Sequence, residues 1–156
     1  MKPKFIDYYM KIAEVTSGLS YAKRLNVGAV IVKDNQILAT GYNGMPSGWE
    51  NVCEYEEEVL VSDLEKGNRL EKTGQLKTKA EVLHAETNAI AKVAQSTESS
   101  KDATLFCTHA PCIECAKLIY QSGINTVYYR NQYRSDEGIK FLNLSGVNVH
   151  QHTDSI

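Results

Sequence analysis

Apolar side chains recur at helical spacing in four segments of the chain. Segment 4–17 has one apolar face, and segment 84–95 is rich in alanine. Segment 111–121 begins with a proline, which suits the first turn of a helix. The fourth runs from Ser135 to Gly146 and has acidic residues at its start, where they complement the helix dipole. The pattern predicts four helices.

Five short apolar runs predict strands. The turn Asp34-Asn35 joins the first two into an antiparallel hairpin. The later three alternate with helices, an order that favours parallel pairing. We therefore predict an α/β fold, a three-layer α/β/α sandwich around a five-stranded mixed sheet. The predicted strands are 27–33, 36–40, 103–109, 125–129 and 147–150.

The stretch 51–81 is polar and charged and interrupts this order. We interpret it as an insertion on the sheet within a single domain, 1–156, rather than as a second domain. Its acidic start is expected to be a solvated face. Within it, Val59, Leu60 and Leu64 could form one short helix.

The composition is that of an ordinary globular domain. The 156 residues are 42% apolar and 23% charged, with a formal net charge of −2. There is no overall basic excess of the kind that binds nucleic acid polymers. The longest wholly apolar run, 29–32, is far too short to span a bilayer, and the N-terminus lacks the apolar stretch of a signal peptide. We expect a cytoplasmic protein with no membrane partner.

Four residues on two predicted helices carry the candidate chemistry: His84, Glu86, Cys112 and Cys115. Three-residue spacing puts both cysteine sulfurs on one face of a first helical turn, where the helix dipole favours thiolates. One imidazole and two thiolates supply three ligands of a tetrahedral ion and leave its fourth position open, which is typical of a catalytic zinc rather than a structural one. Glu86 could reach that position and move protons to and from an activated water.

Each half of this motif is weak alone. A C-x-x-C pair also occurs in structural zinc sites and redox proteins, and H-x-E on a helix is uninformative. Together, as His-Ala-Glu followed after 24 residues by Pro-Cys-Ile-Glu-Cys, they favour the catalytic zinc. Two other classes remain open. One is a thiol redox protein that uses Cys112 and Cys115, which leaves His84 and Glu86 unexplained; the other is a zinc module without activity.

The pattern H-x-E…P-C-x-x-C is the signature of zinc-dependent nucleoside and nucleotide deaminases. Segments 27–32 (Val-Gly-Ala-Val-Ile-Val) and 41–48 (Gly-Tyr-Asn-Gly-Met-Pro-Ser-Gly) narrow the resemblance to deoxycytidylate (dCMP) deaminases of the small phage or bacterial type. The resemblance covers nearly the whole chain. It implies a cytidine deaminase-like fold and the hydrolysis of dCMP to dUMP and ammonia, a step in dTTP supply.

Other deaminase substrates are the nearest alternatives. Deamination of another cytosine nucleoside or nucleotide remains open. A tRNA adenosine deaminase shares the zinc motif, but it would usually have a much shorter stretch before the His-Ala-Glu motif and a basic RNA-facing tail. Here the stretch from Asn43 to Glu81 is long, and basic residues do not outnumber acidic ones.

The resemblance also implies residue roles. Three side chains hold one zinc ion, namely His84, Cys112 and Cys115. Glu86 takes a proton from water and delivers it to N3 of the base, and then helps to protonate the departing amine. Asn43 contacts the sugar, and backbone groups at Ala110 and Cys112 help to orient the base.

The 5′-phosphate needs positive charge or hydroxyl donors. Tyr128, Arg130, Tyr133 and Arg134 are grouped at the end of the fourth predicted strand, at the kind of sheet edge where α/β proteins bind ligands. We predict that Arg134 grips the phosphate and that Tyr133 stacks on the base or donates its hydroxyl. The alternative is that they are surface residues of an exposed loop.

Family resemblance further implies nucleotide regulation and assembly. The family's nucleotide enzymes are typically homohexamers. They are activated by dCTP and inhibited by dTTP, and Mg²⁺ is the ion that would accompany dCTP. No residue pattern identifies the effector site. The candidate regions are 41–48 and 51–81.

The chain departs from the family pattern at one position. Ala22 stands where the pattern has a cysteine, and Gly74 lies in a region upstream of the motif that lacks a histidine. Some phage members use such a cysteine and histidine for a second zinc, so we expect one zinc per chain and no metal partner for Cys53. Cys107 is predicted to be a buried small apolar residue, and His109 to line the pocket or to pack.

Overall fold

A computed structural model describes residues 1–154 of the chain. Its helices are α1 (Pro3–Ser17), α2 (Ala85–Ala94), α3 (Ile113–Gln121) and α4 (Glu137–Leu144). Its strands are β1 (Gly28–Lys33), β2 (Gln36–Tyr42), β3 (Glu54–Asp63), β4 (Gly67–Thr78), β5 (Thr104–His109), β6 (Thr126–Asn131) and β7 (Asn148–Gln151). None of the helices within the described residues has the length and apolar character needed to cross a membrane.

A five-stranded mixed sheet with the order β2-β1-β5-β6-β7 forms the centre of the fold. β1 pairs antiparallel with both β2 and β5, whereas β5, β6 and β7 are parallel. The predicted mixed sheet is therefore confirmed. The five predicted strands and four predicted helices begin and end within two residues of the observed ones.

Helices cover both faces of this sheet, which confirms the α/β/α sandwich. On one face, Tyr9, Met10 and Ala13 of α1 pack against Val30 and Phe106 of the sheet. On the other face, α2, α3 and α4 bury alanine and branched aliphatic side chains against β1, β5 and β6. The alternation of side chains along each strand lets one strand contribute to both layers.

The charged stretch 51–81 contains a two-stranded antiparallel sheet of its own, the hairpin β3–β4. The short helix predicted from Val59, Leu60 and Leu64 is wrong, because Val59 and Leu60 lie in β3 and Leu64 lies in the turn that follows it. Leu60 instead faces Leu70 across the pair. Pairing across the hairpin rather than helical periodicity determines this structure, which is why helical spacing misled the prediction.

Candidate metal centre and substrate cleft

Two helices begin at the same edge of the sheet and bring the motif residues together. His84 is the N-cap residue of α2, and Glu86 lies in the first turn of that helix. Cys112 is the N-cap residue of α3, and Cys115 lies in its first turn. The positive ends of two helix dipoles therefore converge on the site, which favours thiolate sulfurs.

Two glycines allow the backbone contacts that fix these helix starts. A Cβ atom on Gly41 of β2 would overlap the carbonyl oxygen of Ala85 and lie 2.6 Å from the backbone nitrogen of Ala89. A Cβ atom on Gly138 of α4 would overlap the carbonyl oxygen of Pro111 and lie 2.9 Å from the Cys112 backbone. Each half of the motif is thus held directly by backbone from another element.

The three predicted ligands have the spacing of a metal site. Nδ1 of His84 lies 3.3 Å from Sγ of Cys115 and 3.6 Å from Sγ of Cys112. Tetrahedral zinc with ordinary bond lengths would separate nitrogen and sulfur ligands by about 3.5 Å, so the residues fit this ion. Within residues 1–154 they are the one group of this kind.

Protonation of this trio is strongly coupled. Hydrogen bonding to Cys115, and then to His84, lowers the pKa of Cys112 to about 3 despite its burial, whereas the same thiol pair raises the pKa of Cys115. The hydrogen bond with Cys112 raises the pKa of His84. A metal ion must displace the remaining protons to bind, so metal affinity is expected to fall at low pH.

Glu86 is a buried carboxyl group beside the trio. Its side chain is 5% exposed, and its Oε2 lies 3.7 Å from Sγ of Cys115. Burial raises the pKa of Glu86 above its ordinary value, although the charge of His84 opposes this. A buried carboxyl group with a raised pKa is suited to general acid and base chemistry.

A cleft of about 880 Å³ opens above these groups. Its walls include all four residues predicted to bind substrate, namely Asn43, Ala110, Tyr133 and Arg134. The Arg134 guanidinium lies 5.5 Å from the centre of the Tyr133 ring, within cation–π distance. The structure therefore brings the predicted site residues to one place, and their roles towards a substrate stay predictions.

Two of these residues also hold the cleft wall in place. Oδ1 of Asn43 accepts a hydrogen bond from the Val27 amide at 2.8 Å, and Nδ2 donates to the Leu25 carbonyl at 2.8 Å. The Ala110 amide donates to the Asn131 carbonyl at 2.8 Å. Ala110 can therefore offer a ligand its carbonyl oxygen, whereas its N–H group is already used.

Tyr128 and Arg130 do not join the cleft, so grouping them with Tyr133 and Arg134 was wrong. Tyr128 stacks on Phe106 with ring centres 5.1 Å apart, on the face covered by α1. Arg130 bonds to Glu14 at 2.8 Å and to Asp154 at 2.8 Å. Strand alternation sends these two side chains away from the face that carries the metal trio.

The hairpin contributes cleft residues that the sequence did not indicate. Tyr55 and Lys77, near its base, line the cleft together with Arg24. Arg24 donates from Nη1 to Oγ1 of Thr78 at 3.0 Å, which joins the loop before β1 to β4. No local pattern in the sequence marked Arg24 or the two hairpin residues.

The other two cysteines lie outside the metal trio. Cys107 is fully buried in β5, as predicted, and burial raises the pKa of its thiol well above the ordinary value. Cys53 is also fully buried, next to the start of β3. All four cysteines are free thiols.

A three-layer α/β/α fold with a histidine and two cysteines beside a buried glutamate defines the class of zinc-binding deaminases. Comparison with known proteins agrees with this class. The family described as the cytidine and deoxycytidylate deaminase zinc-binding region matches residues 3–131. The chain belongs to this family.

Its relatives include enzymes from phages and from yeast. Deoxycytidylate deaminase of Saccharomyces cerevisiae is 35% identical over 97% of this chain, and that of Mycobacterium phage D29 is 34% identical over 82%. The chain spans 46% of the length of the yeast protein and 95% of the phage protein. A crystal structure of the dCMP deaminase of cyanophage S-TIM5 in complex with dCMP and dUMP superimposes with a TM-score of 0.81 and 45% identity, covering 97% of this chain and 99% of that one.

Proposed function

We propose that the protein is a zinc-dependent deoxycytidylate deaminase that converts dCMP and water to dUMP and ammonia. The observation that carries the proposal is the trio of His84, Cys112 and Cys115 with Glu86 beside it at the base of a cleft. The cyanophage neighbour, which covers nearly all of this chain and was crystallised with dCMP and dUMP, supports this substrate.

Zinc, when bound by the trio, would supply a Lewis acid that makes a water molecule acidic near neutral pH. Glu86 takes one proton from the attacking water and transfers it to N3 of cytosine. The water oxygen forms a bond to C4, and Glu86 then takes the remaining proton from the new C4 hydroxyl and passes it to the amino group. The C4–N4 bond breaks, ammonia leaves and the carbonyl of uracil forms.

The cleft walls hold the rest of the nucleotide. The Ala110 carbonyl accepts a hydrogen bond from the cytosine amino group. The Asn43 amide uses one Nδ2 proton on Leu25, so the second remains for the deoxyribose. Arg134 binds the 5′-phosphate, and Tyr133 supports its guanidinium and stacks on the base or donates its hydroxyl.

Regulation, assembly and location follow from the family resemblance. We propose activation by dCTP with Mg²⁺, inhibition by dTTP, a homohexamer and a cytoplasmic enzyme. A second cavity of about 430 Å³ supports an effector site, because Met45 and Trp49 line it next to Lys79. Met45 and Lys79 belong to the two candidate regulatory regions, and Trp49 lies between those regions.

Zinc analysis and a substrate comparison test the proposal together. Purified protein should contain one zinc per chain. It should deaminate dCMP in an assay that monitors ultraviolet absorbance. In that assay dCTP should raise the rate and dTTP should lower it. CMP and deoxycytidine should be poorer substrates, because each loses or alters contacts to the sugar or phosphate. Faster deamination of deoxycytidine than of dCMP would contradict the assignment. A metal-free protein with a reversible Cys112–Cys115 disulfide would indicate redox chemistry instead.

A further inference from the structure

We propose that His109 binds the nucleotide by donating a hydrogen bond from Nε2, and that Thr108 is the positioning residue that fixes the required tautomer. The inference deepens the proposed function and depends on it for the identity of the ligand. The acceptor is an oxygen atom of the phosphate or of the deoxyribose.

His109 ends β5 and lines the cleft, where its side chain is half-buried. On one side of β5 lies β1. Val27, the residue before β1, donates a backbone hydrogen bond to Asn43. On the other side, Asn131 ends β6, and the loop that carries Tyr133 and Arg134 follows. His109 therefore lies between the proposed sugar contact and the proposed phosphate contacts.

The hydrogen bonds of Thr108 fix the position of the ring proton on His109. The Thr108 side chain is buried, and its Oγ1 accepts the amide of Gly28 at 3.1 Å. That hydroxyl has one proton to donate, and within residues 1–154 its one available acceptor is Nδ1 of His109, 3.0 Å away. A buried hydroxyl without an acceptor is unfavourable, so Nδ1 accepts the bond and the ring proton lies on Nε2.

Nε2 is then a donor that the protein itself does not use. Among the described residues it has no hydrogen-bond partner, and it is not enclosed away from solvent. Burial of the ring also lowers the pKa of His109, which keeps the imidazole neutral with a single N–H group. A neutral N–H donor at a cleft wall is suited to an oxygen acceptor of the substrate.

Two substitutions distinguish the contributions of Nδ1 and Nε2 of His109. In His109→Asn the amide oxygen can still accept the Thr108 hydroxyl, but nothing occupies the position of Nε2. In His109→Gln the longer side chain can bring an amide N–H close to that position. We expect His109→Asn to raise KM for dCMP about tenfold, the effect of one lost hydrogen bond, with a smaller change in kcat. His109→Gln should recover most of this loss.

Two substrates identify the acceptor. The measured quantity is the KM of His109→Asn divided by the KM of the unaltered protein. If His109 contacts the phosphate, this ratio is about ten with dCMP and about one with deoxycytidine, which has no phosphate. If it contacts the deoxyribose, the ratio persists with deoxycytidine. Equal KM values for dCMP in the two proteins, at equal zinc content, would overturn the proposal.

Nitrogen NMR of the zinc-loaded protein tests the tautomer without any turnover. Nδ1 of His109 should show the shift of an unprotonated ring nitrogen and Nε2 that of a protonated one, and dUMP should move the Nε2 signal. Thr108→Val should mix the tautomers, whereas Thr108→Ser should preserve them. A proton on Nδ1, or an Nε2 signal unmoved by saturating dUMP, would refute the inference even if a variant failed to fold. Absence of dCMP turnover in the unaltered protein would instead count against the proposed function.

Discussion

The five-stranded sheet and the β3–β4 hairpin are β structures of one chain in very different environments. Val30, Ile31 and Phe106 of the sheet are fully buried. Leu60 and Leu70 of the hairpin are each 64% exposed, and the hairpin's cross-strand ion pairs lie near the surface. Burial on both faces fixes the register of the sheet, and the sheet carries the helix starts of the metal trio. Site geometry therefore depends on the sheet far more than on the hairpin.

The base of the hairpin is the exception to this contrast. Glu54 is 7% exposed, and its Oε1 accepts backbone amides of Lys23 at 2.8 Å and Arg24 at 3.0 Å. This carboxylate joins the hairpin to the loop that forms one wall of the cleft. The base of the hairpin thus lines the cleft, whereas its outer part is exposed.

Removal of the Glu86 carboxylate, at the site that the sheet positions, should have the largest effect on activity. Glu86→Gln keeps the shape of the side chain but cannot accept a proton, so we expect kcat for dCMP to fall by about 10³. Zinc content and the melting temperature should be retained. The exposed Glu98 offers a matched control as Glu98→Gln. Turnover within tenfold of the unaltered protein would remove the role assigned to Glu86.

A pair of leucine truncations compares the stability contributions of the two regions directly. Leu105 of β5 is fully buried, so Leu105→Ala should lower the free energy of unfolding by about 2–5 kcal/mol. Leu60→Ala in β3 should cost at most about 1 kcal/mol, because the side chain is mostly exposed and loses only its cross-strand contact. Denaturant unfolding measures both. Equal losses would show that the hairpin is buried by something in solution.

Gly138 tests the backbone contact behind Cys112. Gly138→Ala forces a methyl group against the Pro111 carbonyl, so we expect a loss of about 1–3 kcal/mol in stability and weaker zinc binding. In Gly44→Ala, the control, the nearest atom to the new methyl group is 4.0 Å away. Chelator competition should show faster zinc release from Gly138→Ala only. Equal release from both variants would contradict the positioning role of Gly138.

The smallest effect is expected at the hairpin tip. Backbone amides of Glu65 and Lys66 donate to Asp63 and lower its pKa. A lowered pKa means that the ionised form supports the turn above the unfolded value of about 3.9, and that this support is lost as pH falls through the folded value. NMR titration of Asp63 should therefore have its midpoint below 3.9, and amide protection at the tip should fall with it. A midpoint at or above 3.9 would contradict the turn geometry.

The sheet and the metal trio were predictable because their signals are local. Three-residue spacing of Cys112 and Cys115 behind a proline, and a histidine at a second helix start, are visible in the sequence alone. The side of the sheet that Tyr128 faces was also predictable, because it alternates with the buried Val127 and Tyr129 along β6.

The hairpin was harder to predict because its strands consist mainly of polar and charged residues, unlike the apolar strands of the sheet. Glu58 faces Lys72 and Tyr55 faces Lys77 across the two strands. Glutamate and lysine are poor strand formers on average, so neither strand has a clear pattern until the two are aligned. Gly67, with a positive φ of 73° at the turn, was the one local indication.

Antiparallel pairing of β1 with β5 places the start of β1 and the end of β2 at the same edge as the ends of β5 and β6. Asn43 therefore comes to the cleft from the first part of the chain, and the metal trio comes from the second part. The exposed hairpin tip lies between these two parts in the sequence. A polypeptide split at Gly67 would divide the site between two fragments. Neither fragment would contain both the metal trio and Asn43, the proposed sugar contact, so recovered deamination in a mixture would report that β1 and β5 had paired again.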